Sequence, residues 1–185
     1  MKKRIAVITG GGDCPGLNAV LRSLTLALHE ANGPELVGLC DAYHGLFQDP
    51  PRMLTLTPER VHDILDQGGT ILGTANSGDP FSWEGTDRSG ELIDLFKTHG
   101  LEGLISIGGD GSTAIAHGLA EQGLPVICVP KTIDNDVAGT DVTFGYVSAV
   151  ACATDALDRL RTTGESHSRV MVLEVMGRDA GWIAM

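Results

Sequence analysis

The sequence predicts an α/β fold: a three-layer sandwich, with a mostly parallel sheet and helices on both faces. Two observations carry this reading. Short runs that are apolar throughout alternate with amphipathic stretches from the first residues onward, the pattern of parallel strands covered on both sides. Glycine-rich polar segments fall where those runs end, and such sheets bind ligands beyond the carboxyl ends of their strands.

The elements follow in order. Residues 4–9 are a short β-branched strand that stops at glycine. Residues 17–31 have helical spacing, with Leu17, Val20, Leu21, Leu24 and Leu28 on one side. Residues 36–40 are a second strand. Residues 58–67 read as a helix, with Thr57 as its cap, Pro58 at the first position and Glu59 in the first turn. Residues 70–72 are a short strand. Residues 89–99 form a helix with Leu92, Ile93 and Phe96 inward, ended by Gly100. Residues 104–107 are a buried strand and residues 113–122 the helix after it. Residues 126–129 are another buried strand, ended by Pro130. Residues 145–163 are a long helix whose core face is Val147, Val150, Ala151, Leu157 and Leu160. Residues 170–175 are a final strand. Right-handed crossovers wind these units into a doubly wound sheet. The sequence stops at G-W-I-A-M, which reads as the first turn of another helix, so it is expected to continue.

Composition narrows the function. With 42% hydrophobic and 20% charged residues, the 185-residue chain is globular. A net charge of −11 argues against nucleic-acid binding, which needs a basic surface. No apolar run is long enough to span a membrane, and a cytoplasmic protein is expected. Cys14, Cys40, Cys128 and Cys152 form no C-x-x-C pair, and the last three sit in apolar stretches as reduced core residues. The histidines have no metal-ligand spacing. Trp83 and Trp182 read as packing residues.

The loops carry the chemistry. In G-G-D-G-S (Gly108 to Ser112), a strand feeds glycines and then a helix. The glycines let the backbone approach an anion, and the helix start offers free N–H groups. Asp110 would repel a phosphate, so its economical role is to bind Mg²⁺ carried by phosphates. T-G-G-G-D-C-P-G-L-N (Thr9 to Asn18) is a second such turn. It fits neither the dinucleotide fingerprint nor the P-loop. P-K-T-I-D-N-D (Pro130 to Asp136) sets two carboxylates beside a Lys and a Thr, and Asp134 or Asp136 can take a proton from a hydroxyl. M-G-R (Met176 to Arg178) places an Arg to clamp a phosphate. Together these parts point to phosphoryl transfer.

The combination of GGDCPGLNAVLR, GGTILGTAN, GGDGS, PKTIDND, GTDVTFGY, ESHSR and EVMGR, in that order, resembles the phosphofructokinase family over essentially the whole chain. The resemblance implies phosphoryl transfer from ATP to the 1-hydroxyl of fructose 6-phosphate, with Mg²⁺. It implies that residues 1–185 are the nucleotide- and Mg²⁺-binding lobe, cut before a second lobe is complete, and that the isolated lobe does not turn over. By position, Gly12, Asn76, Gly109, Asp110, Gly111 and Ser112 line the nucleotide, and Asp110 is the metal ligand. Thr132, Ile133 and Asp134 meet the sugar. Asp134 matches the catalytic base, with Thr132 beside it in the catalytic loop, and Asp136 matches a second carboxylate near the metal. Met176, Gly177 and Arg178 form a second sugar-phosphate segment. Arg169 matches an arginine that reaches a neighbouring subunit's sugar phosphate, which implies a homo-oligomer, a dimer or tetramer.

Three positions depart from the ATP pattern. Gly111 goes with ATP, because an Asp there would fill the space of an α-phosphate. Lys131 instead goes with the pyrophosphate lineage. The empty space at Gly111 is weighted more, so ATP is the expected donor and pyrophosphate the alternative. Asn76 stands where many ATP enzymes carry an Arg, and Lys131 is a candidate to replace that charge. Arg22 is kept, but Leu26 replaces a common effector-binding Arg, so allosteric control of the bacterial kind is not expected. G-G-D-G also occurs in NAD-kinase-like and diacylglycerol-kinase-like phosphotransferases, which lack P-K-T-I-D-N-D with M-G-R. A truncated nucleotide-binding module is the non-catalytic alternative.

Overall fold

The computed structural model describes residues 2–185. The chain runs β1 (Arg4–Thr9), α1 (Leu17–Glu30), β2 (Glu35–Leu39), β3 (Met53–Leu56), α2 (Ser89–Thr98) and β4 (Leu101–Gly108). It continues through α3 (Asp110–Glu121), β5 (Val126–Thr132), β6 (Phe144–Gly145) and α4 (Tyr146–His167). The strands form one sheet in the order β3-β2-β1-β4-β5-β6. Among the described residues only β3 is antiparallel to its neighbour; the other pairs are parallel. The winding reverses at β1. Strands β2 and β3 lie on one side of it, β4 to β6 on the other, so the loops after β1 and β4 diverge and open a crevice.

Alternating side chains divide β1 between two cores. Ala6 and Ile8 join Leu92 and Phe96 of α2 and Leu119 of α3. Val7 joins Leu17, Val20 and Leu21 of α1 on the opposite face. This is the predicted sandwich.

Several local expectations need correction. Residues 58–67 form turns, not a helix. Val61 N–H donates to Thr57 O (3.2 Å) and Gln67 N–H to Ile64 O (3.3 Å), but these single turns do not propagate. A segment this short is a poor helix nucleus, and buried Val61 and Ile64 serve as anchors instead. Residues 70–72 are no strand. The Ile71 amide donates to Asn18 Oδ1 (2.9 Å) and the Leu72 amide to Thr70 Oγ1 (3.2 Å), so side chains replace the ladder. Strand β3 was not foreseen; four residues at an edge leave little pattern. Helix α3 starts at Asp110, earlier than expected, which puts the G-D-G-S carboxylate in its first turn. Strand β5 runs past Pro130 to Thr132, because β6 takes over as partner at Lys131 where the β4 ladder stops at Pro130.

The largest differences lie at the C-terminal end. Residues 170–175 form neither strand nor helix, and Val170 and Val172 are exposed. Helix α4 forms as expected, yet its apolar face is bare: Val147 is 63% and Leu157 54% exposed. Ile127 of β5 is exposed too. Of the cysteines read as core residues, Cys40 is half-buried and Cys128 and Cys152 are exposed, whereas the loop residue Cys14 is buried. All four are free thiols. Trp83 does pack, against His44 and Phe47, but Trp182 is 46% exposed.

Candidate functional site

A cleft of about 1380 Å³ opens at the carboxyl ends of β1, β4 and β5. Its wall brings together Gly12, Asn76, Gly109 to Ser112, Lys131 to Asp134, Asp136 and Met176 to Arg178. Every candidate site residue lines it except Arg169, which is exposed and whose amide closes the end of α4 on Gly164 O (2.9 Å).

The side of the cleft at the start of α3 is built by close packing of small residues. The Ser112 hydroxyl sits against the β1 and β4 ends. A methyl added at Gly10 would stand 2.6 Å from Ser112 Oγ, and one at Gly108 would also collide with the Ser112 side chain. Those two glycines let α3 approach β1 and place its free amides at the cleft. At Gly111, by contrast, an added methyl meets nothing within 4 Å. That position is open to the cleft. Asp110 is exposed at the start of α3.

Hydrogen bonds stitch the loop after β1 to residues 70–76. Gly11 N–H donates to Ala75 O (3.0 Å), and the Thr74 hydroxyl donates to Gly11 O. The Thr9 hydroxyl donates to Gly73 O (2.7 Å). Buried Asn18 donates to Gln67 O (3.1 Å) and accepts from Ile71 N–H. Asn76 therefore comes to the cleft on a rigidly held segment.

Lys131 is 4% exposed, and its ammonium donates to Gly12 O at 2.6 Å. Burial pushes this lysine below its ordinary value, with Cys14 and Asp13 pulling it partly back. One of its donors is thus spent on the glycine loop. Cys14 lies nearby and donates to Phe144 O (3.3 Å). Burial pushes its thiol up, against an opposing pull from Lys131. At the end of β5, Asp134 N–H donates to Thr132 Oγ1 (3.1 Å), while Asp134 Oδ1 is buried without a partner among the described residues.

The phosphofructokinase family model matches residues 4–185. The chain belongs to the phosphofructokinase family. It is 50% identical over 182 residues to "ATP-dependent 6-phosphofructokinase 2" of Streptomyces coelicolor, covering 98% of this chain and 52% of that protein. It is 48% identical to "Pyrophosphate--fructose 6-phosphate 1-phosphotransferase" of Amycolatopsis methanolica, again over 98% of this chain and 52% of that one. Phosphofructokinase from Saccharomyces cerevisiae superposes with a TM-score of 0.84 at 31% identity, covering 99% of this chain and 27% of that one. The chain spans about half the length of the curated relatives it matches.

The phosphofructokinase cleft also has walls that the motifs did not announce. Ala42 and Tyr43, from the loop after β2, and Ser77, Gly78, Asp79, Phe81 and Ser82 complete it. Tyr43 is buried, its hydroxyl has no partner, and burial pushes its phenol up. The loop after β2 also leaves a strand's carboxyl end, so the rule that located the other loops locates this one.

Proposed function

We propose that the protein acts in a 6-phosphofructokinase, transferring a phosphoryl group from ATP to the 1-hydroxyl of fructose 6-phosphate. One observation carries this: the donor segment Asp110–Ser112 and the carboxylate segment Asp134–Asp136 face one cleft, with Arg178 at its rim. A kinase needs donor and acceptor on opposite sides of a shared space.

The α3 amides and Gly111 hold the donor phosphates, and Asp134 takes the proton of the attacking hydroxyl. Thr132 and Ile133 flank it against the sugar, and Met176 to Arg178 hold the sugar phosphate. Mg²⁺ fits the donor set, because an ion carried by phosphates needs only one or two carboxylates. Asp110 is an exposed carboxylate at the donor side, and among the described residues no cluster of His, Cys, Asp or Glu could cage an ion alone. Bound there, the ion neutralises charge on the transferred group. Arg169, outside the cleft, suits contact with a neighbouring subunit in a homo-oligomer. Among the described residues no helix is long and apolar enough to cross a membrane, which is compatible with a cytoplasmic glycolytic role.

Pyrophosphate is the second reading, favoured by Lys131 at the cleft. The test assays the full gene product with fructose 6-phosphate and Mg²⁺, with ATP and pyrophosphate in parallel. Turnover with ATP is expected; turnover with pyrophosphate alone replaces the donor, and with neither the reading falls. Asp134→Asn is expected to lower kcat by about 10²–10⁴-fold while ATP still binds. An active Asp134→Asn protein removes Asp134 from the role of base.

A further inference from the structure

The loop that presents Asp134 is closed by residues outside its catalytic segment. It leaves β5 at Thr132 and returns to β6 at Phe144, beside its own starting point, since Lys131 pairs Phe144 and Thr132 pairs Gly145. Thr143, 2% exposed, ties the neck: its hydroxyl donates to Thr132 O at 2.7 Å. Its amide donates to Asn135 Oδ1 at 2.9 Å, and Asn135 Nδ2 donates to Asp141 O at 3.3 Å. Asn135 holds a left-handed conformation (φ 51°), which Asn tolerates because its side chain bonds locally. Asp134 is therefore fixed from both sides, by Thr132 before it and Asn135 after it. Its unpartnered Oδ1 would otherwise turn toward a donor or water, since a buried oxygen left unsatisfied is costly.

We infer that Asn135 and Thr143 are positioning residues: a clasp that aims the Asp134 carboxylate into the cleft and holds it without a protein partner until substrate arrives. Neither touches the donor side, which the loops after β1 and β4 build. The inference rests on the proposed phosphoryl transfer. A loop merely closed for stability would predict lost stability with no selective loss of rate. A clasp predicts a fall in kcat with the donor KM unmoved.

The experiment uses the full gene product with Thr143→Val, which keeps the shape and removes the hydroxyl, and Thr143→Ser, which restores it. Asn135→Gly keeps the left-handed backbone without the side-chain ties, so it serves if Thr143→Val does not fold. Misplacing the base is expected to lower kcat about 100-fold, with the donor KM within about twofold of wild type, and Thr143→Ser is expected to recover most of the rate. Wild-type kcat in folded Thr143→Val or Asn135→Gly overturns the clasp, as does a parallel loss of donor affinity. So does failure of both to fold, which makes the pair a folding element. An inactive wild-type protein sinks the phosphoryl-transfer reading first, which separates the two failures.

Discussion

Lys131 shows how the setting of a single side chain adds to what its identity suggests. Beside Asn76 it invites the role of a phosphate-binding cation, but one of its donors is held by Gly12 O inside the protein. Its lowered pKa has a measurable consequence. The unfolded chain holds this proton more tightly, with an ordinary value of 10.5. Between the lowered folded value and 10.5 the unfolded state therefore binds more protons, and stability contributed by this group rises with pH across that window. Below the window the cost of burying the charge is felt in full. Urea midpoints of wild type and Lys131→Met should diverge in favour of wild type between neutral pH and about pH 10. A difference that stays constant shows that the lysine is not depressed. The cysteines carry a related lesson. Cys128 lies in an apolar run, yet it is exposed, because apolar neighbours along the chain do not guarantee a covering layer in space.

Among elements, the covered and the bare helix read almost alike in sequence. Leu92 of α2 is fully buried, while Leu157 of α4 is 54% exposed. In the 185-residue chain Leu92→Ala should cost about 2–5 kcal/mol, and Leu157→Ala should stay within about 0.5 kcal/mol. Chemical denaturation of both variants checks this; comparable losses mean that α4 is packed in solution. The strands β1, β2 and β4 and helices α1, α2 and α3 were legible because each buries apolar side chains, and β5 was legible from its apolar run although Ile127 and Cys128 are exposed. Residues 58–67 were not, because Thr57, Pro58 and Glu59 supply a helix start that tertiary anchoring by Val61 and Ile64 overrides. Residues 70–72 failed for another reason: their amides are claimed by Asn18 and Thr70 side chains, which strand patterning does not register. The loops after β1, β4 and β5 reached the cleft because the carboxyl-end rule depends only on strand direction, whereas Ala75 to Gly78 and Met176 to Arg178 line it with no strand before them. Tyr43 was missed because its loop lacks the glycine cluster used to find the others.

Over the whole molecule, protection should follow the sheet order. Strands β1 and β4 are central and paired on both sides, whereas residues 170–175 have no ladder. Hydrogen exchange on the 185-residue chain should leave the β1 and β4 amides slowest and residues 170–175 among the fastest. Slow exchange at 170–175 would reveal a partner strand. The reversal of winding at β1 reaches further still. The crevice exists because neighbouring loops part there, whatever those loops contain. A lineage can therefore rewrite the loop chemistry while the crevice stays put. Relatives named for ATP and for pyrophosphate are about equally similar to this chain, as an inherited address with a replaceable tenant allows.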